Sequence, residues 1–137
     1  MKQVIIGILS FFVLCLYWVG CASNIYQDSL TGTWGGEHIG MTIVDSSITL
    51  EYDCAHGTID EPINPDEQGR FEVKGIHIIE HGGPVRSDEI PDKHPALYKG
   101  QIEESVMTLT VILTDMEIVI GEFTLTHGDY PKIYKCL

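Results

Sequence analysis

The chain predicts an all-β fold, a small antiparallel meander of about seven to eight strands closed into a barrel. Three observations carry this. Short runs rich in β-branched and aromatic residues alternate apolar with polar side chains at the period of a strand. Turn residues separate those runs at regular intervals. After the N-terminal apolar run, no segment carries a helical apolar stripe. Regularly spaced strands indicate a sandwich or a barrel. A barrel leaves no open sheet edge, which benefits a small domain.

Taken in order, Thr33-Trp34 opens the first strand and Gly35-Gly36 the first turn. Residues 41–44 form a short strand, ended by Asp45-Ser46-Ser47. Residues 48–54 alternate strictly and place Ile48, Leu50, Tyr52 and Cys54 on one face. Residues 64–69, with Asn64, Pro65 and Gly69, read as a turn before the strand at 71–74. Residues 82–96 read as one long irregular connection with three prolines, Pro84, Pro91 and Pro95. A strand at 98–102 and the turn Glu103-Glu104 lead to 106–113, where Met107, Leu109, Val111 and Leu113 share a face. The strand at 118–126 places Val119, Gly121, Phe123 and Leu125 together. Gly128, Asp129 and Pro131 break the chain, and residues 133–136 read as a closing strand.

The N-terminus has a different design. Lys2 supplies a positive charge, residues 4–19 an apolar core, and Val19-Gly20 the small residues before Cys21. This is the pattern of an export signal whose cysteine takes lipid. It divides the chain into a signal peptide (1–20), a lipid-anchored tether (21–30) and one β-barrel domain (31–137). Simple secretion by cleavage near Cys21 or Ala22 is one alternative, and an uncleaved anchor another. The apolar run is shorter than the roughly 20 residues that span a bilayer core. All three readings put the domain outside the cytoplasm, and Ala22 after the cysteine favours the outer membrane.

Loss of Lys2 with the signal leaves 7 Lys+Arg against 20 Asp+Glu, a net charge of −13. Phosphates need a positive field, so nucleic acid is excluded as a partner. Electrostatic docking on anionic lipid is disfavoured for the same reason. The remaining partners are the membrane through Cys21, a small molecule, or a basic protein. Cys54 and Cys136 are an even pair in an oxidising compartment and suggest a disulfide. The other reading is two buried thiols.

Gly32-Thr33-Trp34, opening a β meander, resembles the start of the calycins, the lipocalin and avidin superfamily. The resemblance covers about six residues. It implies a barrel plugged at one end by Trp34, a structural residue, with a ligand cavity at the opposite mouth. It names no ligand.

His77-Ile78-Ile79-Glu80-His81 matches H-x-x-E-H, a zinc peptidase motif. That chemistry needs a helix, which brings both imidazoles to one ion. The flanks here are strand-like and glycine-rich. In a strand the two histidines would sit about 13 Å apart, with Glu80 turned away. The peptidase reading is rejected.

Two segments, Cys54-Ala55-His56-Gly57-Thr58-Ile59 and His81-Gly82-Gly83-Pro84-Val85-Arg86, each place a histidine before glycine at the end of a strand. Together they resemble the signature of a family of small secreted or lipid-anchored bacterial β domains. That resemblance implies that residues 32–137 form the whole domain, and it implies no activity. If both ends fall at one mouth, His56, His81 and Arg86 converge with Glu37 or His38 into an anion pocket, or a zinc site if histidines meet. Otherwise the histidines bond turn carbonyls and Arg86 pairs with Asp88 or Glu89.

The expected function is a non-enzymatic envelope binding module, without cofactor or resident metal, that holds a small molecule or ion at a barrel mouth. The alternative is a protein-interaction module, such as an inhibitor of a basic hydrolase or an envelope structural factor. A metal-dependent hydrolase ranks last.

Overall fold

The computed structural model describes residues 30–137. The export-type segment, Cys21 and all of the tether before Leu30 lie outside the described residues. Eight strands follow in order: β1 (Gly32–Gly36), β2 (Ile39–Val44), β3 (Ser47–Tyr52), β4 (Ala55–Ile59), β5 (Arg70–Ile79), β6 (Asp92–Glu103), β7 (Val106–Leu113) and β8 (Ile118–His127). Each pairs antiparallel with its neighbour, and β8 returns to pair with β1, closing the barrel.

Alternation decides what is inside. Ile48, Leu50 and Tyr52 point inward from β3, Phe71 and Val73 from β5, and Met107, Leu109, Val111 and Leu113 from β7. Burying such a side chain contributes about 1.5–3 kcal/mol.

The two ends of the barrel differ. At the base lie the turns after β2, β4 and β6. Trp34 is 1% exposed there, its Nε1 donates to Leu30 O at 2.9 Å, and its ring leans on His127 at 4.8 Å. Leu30 and Ile63 are buried beside these base connections. At the other end, the mouth, lie the turns after β1, β3, β5 and β7.

Gly35-Gly36 lie inside β1 rather than in a turn, β4 is a strand that the alternation does not offer, and four further local expectations are corrected. First, β3 stops at Tyr52, and Asp53-Cys54 form a bend, so Cys54 does not continue the inward row. His56-Gly57 consequently lies inside β4 near its start, not at a strand end. Second, β5 and β6 are longer than their alternation suggests, and residues 92–96 belong to β6, so the irregular connection is 80–91. Pro95 is tolerated because it lies past the last β6–β7 pair, Ala96–Leu113, where the ladder asks no donor of it. Third, the β7–β8 register shifts: Val111 opposes Gly121 but Ile112 opposes Val119. Ile120 is the extra residue of a bulge, which reverses the facing of what precedes it. Val119 is therefore 60% exposed rather than inward.

Fourth, residues 133–136 do not form a strand. The chain after β8 climbs the outer wall from base to mouth. Gly128 N–H donates to Thr33 O (2.7 Å), Lys132 N–H to Gly36 O (2.9 Å), and Tyr134 N–H to Asp53 Oδ1 (2.8 Å). Its bed is made by Gly35 and Gly40, which oppose each other across β1 and β2. A Cβ on Gly35 would lie 2.4 Å from Asp129 O, and one on Gly40 2.8 Å from Pro131. The Cys54–Cys136 disulfide fastens the far end of this tail at the mouth.

That bridge joins residues 82 apart in sequence. Replacing Cys136 with Ser should lower stability by about 4 kcal/mol in the chain-entropy description. Urea denaturation of the variant beside the oxidised protein measures this, and an unchanged midpoint would show that the tail is held by its other bonds alone.

Candidate functional site

A cavity of about 330 Å³ opens at the mouth. Its inner wall comes from Tyr52, Ala55, His77, Ile79, Ile120 and Phe123, with His38 and Asp53 at the lip. Tyr52 ends β3, Ala55 starts β4, and His77 and Ile79 end β5, so the meander brings three strand ends to one place. Beneath them the barrel is filled. Trp34, Leu50, Tyr98, Met107, Leu109 and Leu125 are each at most 1% exposed. The cavity is a cup at one end and not a channel.

His77 stands in this cup because β5 alternates. Phe71, Val73, Gly75, His77 and Ile79 share the inward parity. His77 is 2% exposed and Tyr52 5%, with their rings 5.1 Å apart. Phe123 stands 5.6 Å from Tyr52. Both residues carry a polar atom, His77 Nδ1 and Tyr52 Oη, that is buried without a hydrogen-bond partner. Leaving such an atom unpaired costs about 1–3 kcal/mol. Burial lowers the His77 pKa, helped by the positive charge that His94 and His56 can carry. Burial raises the Tyr52 phenol well above its usual value, and Tyr98 adds to the effect. Both groups are uncharged at neutral pH.

Above the cup, histidines and carboxylates clasp the rim. His38 has a left-handed backbone (φ 67°) in the β1–β2 turn, and its Nδ1 meets Asp53 Oδ2 at 2.6 Å. His94 bridges Asp115 (2.8 Å) and Asp92 (3.0 Å), tying β6 to the β7–β8 turn. His81 pairs with Glu89 and spans the 80–91 loop. His56 meets Glu80 at 2.7 Å, and Lys135 of the tail bonds the same carboxylate at 3.1 Å. The Gly82 carbonyl, then Glu89, raise the His81 pKa, while Asp115, then Asp92, raise that of His94. Asp53 is lowered, first by the Tyr134 N–H, and Asp115 and Glu89 are lowered, first by their histidines.

The residues singled out from sequence are divided among separate places. His38 reaches the cup. His56 and His81 line a second groove of about 260 Å³ under the 80–91 loop, with Val85 and Ile90. Arg86 turns aside to Asp88 (3.1 Å) and Glu37 to Lys132 (3.3 Å). The five do not converge. Among the described residues, no group of three or more His, Cys, Asp or Glu is arranged to hold a metal ion. Sequence reasoning missed His77 and Tyr52 as site residues. The parity of β5 was the available signal, since it puts a histidine on an apolar inward row.

Comparison with family models, with curated proteins and with solved structures found no match. The fold and site thus define the class by themselves: an eight-stranded antiparallel barrel, plugged at the base and cupped at the mouth.

Two outcomes follow from these groups. Tyr52→Phe removes an unpartnered oxygen and keeps the ring, so the ligand-free protein should be as stable or about 1 kcal/mol more stable. A clear loss in thermal denaturation would mean that the hydroxyl has a partner. The rim should also be pH-dependent. The contribution of His81 and His94, whose pKa values are raised, is complete below the usual histidine value of 6.5 and fades as pH rises through the higher folded values. That of the lowered carboxylates is complete above their usual 3.8 and 4.5 and fades as pH falls through the lower folded values. Hydrogen exchange of the 80–91 and 114–117 segments, corrected for intrinsic rate, should therefore be slowest between pH 4.5 and 6.5. A flat profile would contradict the clasps.

Proposed function

We propose that this domain is a non-enzymatic binding module of the bacterial cell envelope, anchored through lipid on Cys21, that holds a small molecule in the cup at the barrel mouth. One observation carries the reading: Tyr52 and His77, each with a buried polar atom that finds no partner, line an otherwise largely apolar cavity at the open end of a filled barrel. The volume is at the lower end of the roughly 300–1,000 Å³ of small-molecule sites. The disulfide suits an oxidising compartment. The export-type N-terminus agrees with it.

A second reading, a protein-interaction module, draws support from apolar side chains exposed around the mouth: Val85, Ile90, Met116, Ile118 and Leu137. The inhibitor-of-a-basic-hydrolase form of it has less support. It wants one concentrated acidic face, whereas the carboxylates stand at both ends. Asp45, Asp66 and Glu104 lie at the base, Asp53, Asp88 and Asp115 at the mouth.

Native mass spectrometry of the mature protein, purified from bacterial envelope without chelators, tests the proposal. A reproducible small adduct, released on unfolding, is the expected result. A bare mass two hydrogens below the reduced chain, with a protein captured from envelope extract at the mouth, would favour the second reading instead.

A further inference from the structure

Within the reading of the mouth as a small-molecule site, on which this inference rests, we propose that the cup selects an uncharged ligand with an apolar body and a hydroxyl head, the hydroxyl lodging between Tyr52 Oη and His77 Nδ1. Four observations lead there.

The first is the pairing problem inside the cup. Tyr52 Oη and His77 Nδ1 are both buried and make no hydrogen bond of good geometry, on rings 5.1 Å apart; the nearest polar neighbour of the phenol is the Tyr98 hydroxyl, which donates to Ile76 O. A phenol carries one donor, and a neutral imidazole nitrogen either accepts or donates according to tautomer. A hydroxyl is the smallest group that both donates and accepts, so it completes the pair whichever tautomer is present.

The second is charge. Of the lining residues Tyr52, Cys54, Ala55, His77, Ile79, Ile120, Phe123, His38 and Asp53, the one carboxylate, Asp53, is paired with His38. Burial holds the imidazole neutral and the phenol protonated. An anionic head would shed its water and find no cation. A cationic head would find no free carboxylate, because Asp53 at the lip already accepts from His38 and from Tyr134 N–H. Glu80, Glu89 and Asp115 are likewise engaged, by His56 and Lys135, by His81, and by His94.

The third is the apolar surround. Ile79, Ile120 and Phe123 are all partly exposed at the mouth, so an apolar body covers surface that now faces water. The fourth is depth. The barrel below is filled by side chains at most 1% exposed, so the ligand is compact or leaves part of its body outside.

A matched set of eight-carbon probes separates the possibilities: 1-octanol, octanoate and octylammonium, titrated into the oxidised protein at pH 7.5 and followed by NMR at Tyr52, His77, Ile79 and Phe123. The expected result is that 1-octanol shifts these signals and binds at least about tenfold tighter than either charged probe, the worth of one or two net hydrogen bonds. Tyr52→Phe, which keeps the ring, should lose about tenfold for 1-octanol and little for the charged probes. His77→Phe should do the same, and the probe ranking on the unaltered protein stands if that variant does not fold. Binding of octanoate or octylammonium at the mouth as tightly as 1-octanol would overturn the hydroxyl assignment and leave the binding-module reading standing. Silence of all three probes at the mouth would overturn both.

Discussion

Closure of the barrel by β1 against β8 is the constraint on which the rest depends. The contact is short, three residue pairs from Trp34–His127 to Gly36–Leu125. It turns an eight-stranded meander with two sticky edges into a body with none. It also sets Trp34 at the base, where the indole bonds the Leu30 carbonyl and rests on His127. With the base plugged and the middle filled, the only part of the interior left for a ligand is the upper end. The mouth exists because the seam below it is shut.

Much of this was written in the alternation. The inward rows of β3, β5 and β7 can be read directly, because a strand buried on one face has no choice of parity. The failures came where something other than parity decides. Val119 was misplaced because a bulge at Ile120 reverses facing, and nothing in a run of branched residues marks the extra one. Residues 133–136 look like a strand because they have strand-like composition. They are instead a strap, laid in the glycine bed of Gly35 and Gly40 and tied to Cys54. Pro95 hid the start of β6, since a proline excludes a strand only where the ladder needs its nitrogen.

The site was harder to read than the fold for a related reason. His56 and His81 drew attention as histidines directly before glycine, with Arg86 in the same segment as His81, and the structure gives each a local partner. The pair that lacks partners, Tyr52 and His77, is silent in sequence. Tyr52 passes for a core aromatic, and His77 passes for part of a peptidase motif that its strand cannot support. What marks them is an unmet hydrogen bond, and that appears only once the strands around them are in place. The histidine–carboxylate contacts above them pair Asp53, Glu80, Glu89 and Asp115 at the rim.

The strap has one more consequence. It carries the chain from the base to the mouth, where Leu137 packs its backbone on Gly82 and leaves its side chain in water. Leu30 enters at the opposite pole. Anything that grips the chain upstream of Leu30 therefore holds the barrel by its foot and presents the cup outward, like a goblet on a stem. A tag or fusion added after Leu137 would instead hang over the brim. The choice of terminus for any immobilisation thus decides whether the opening stays free.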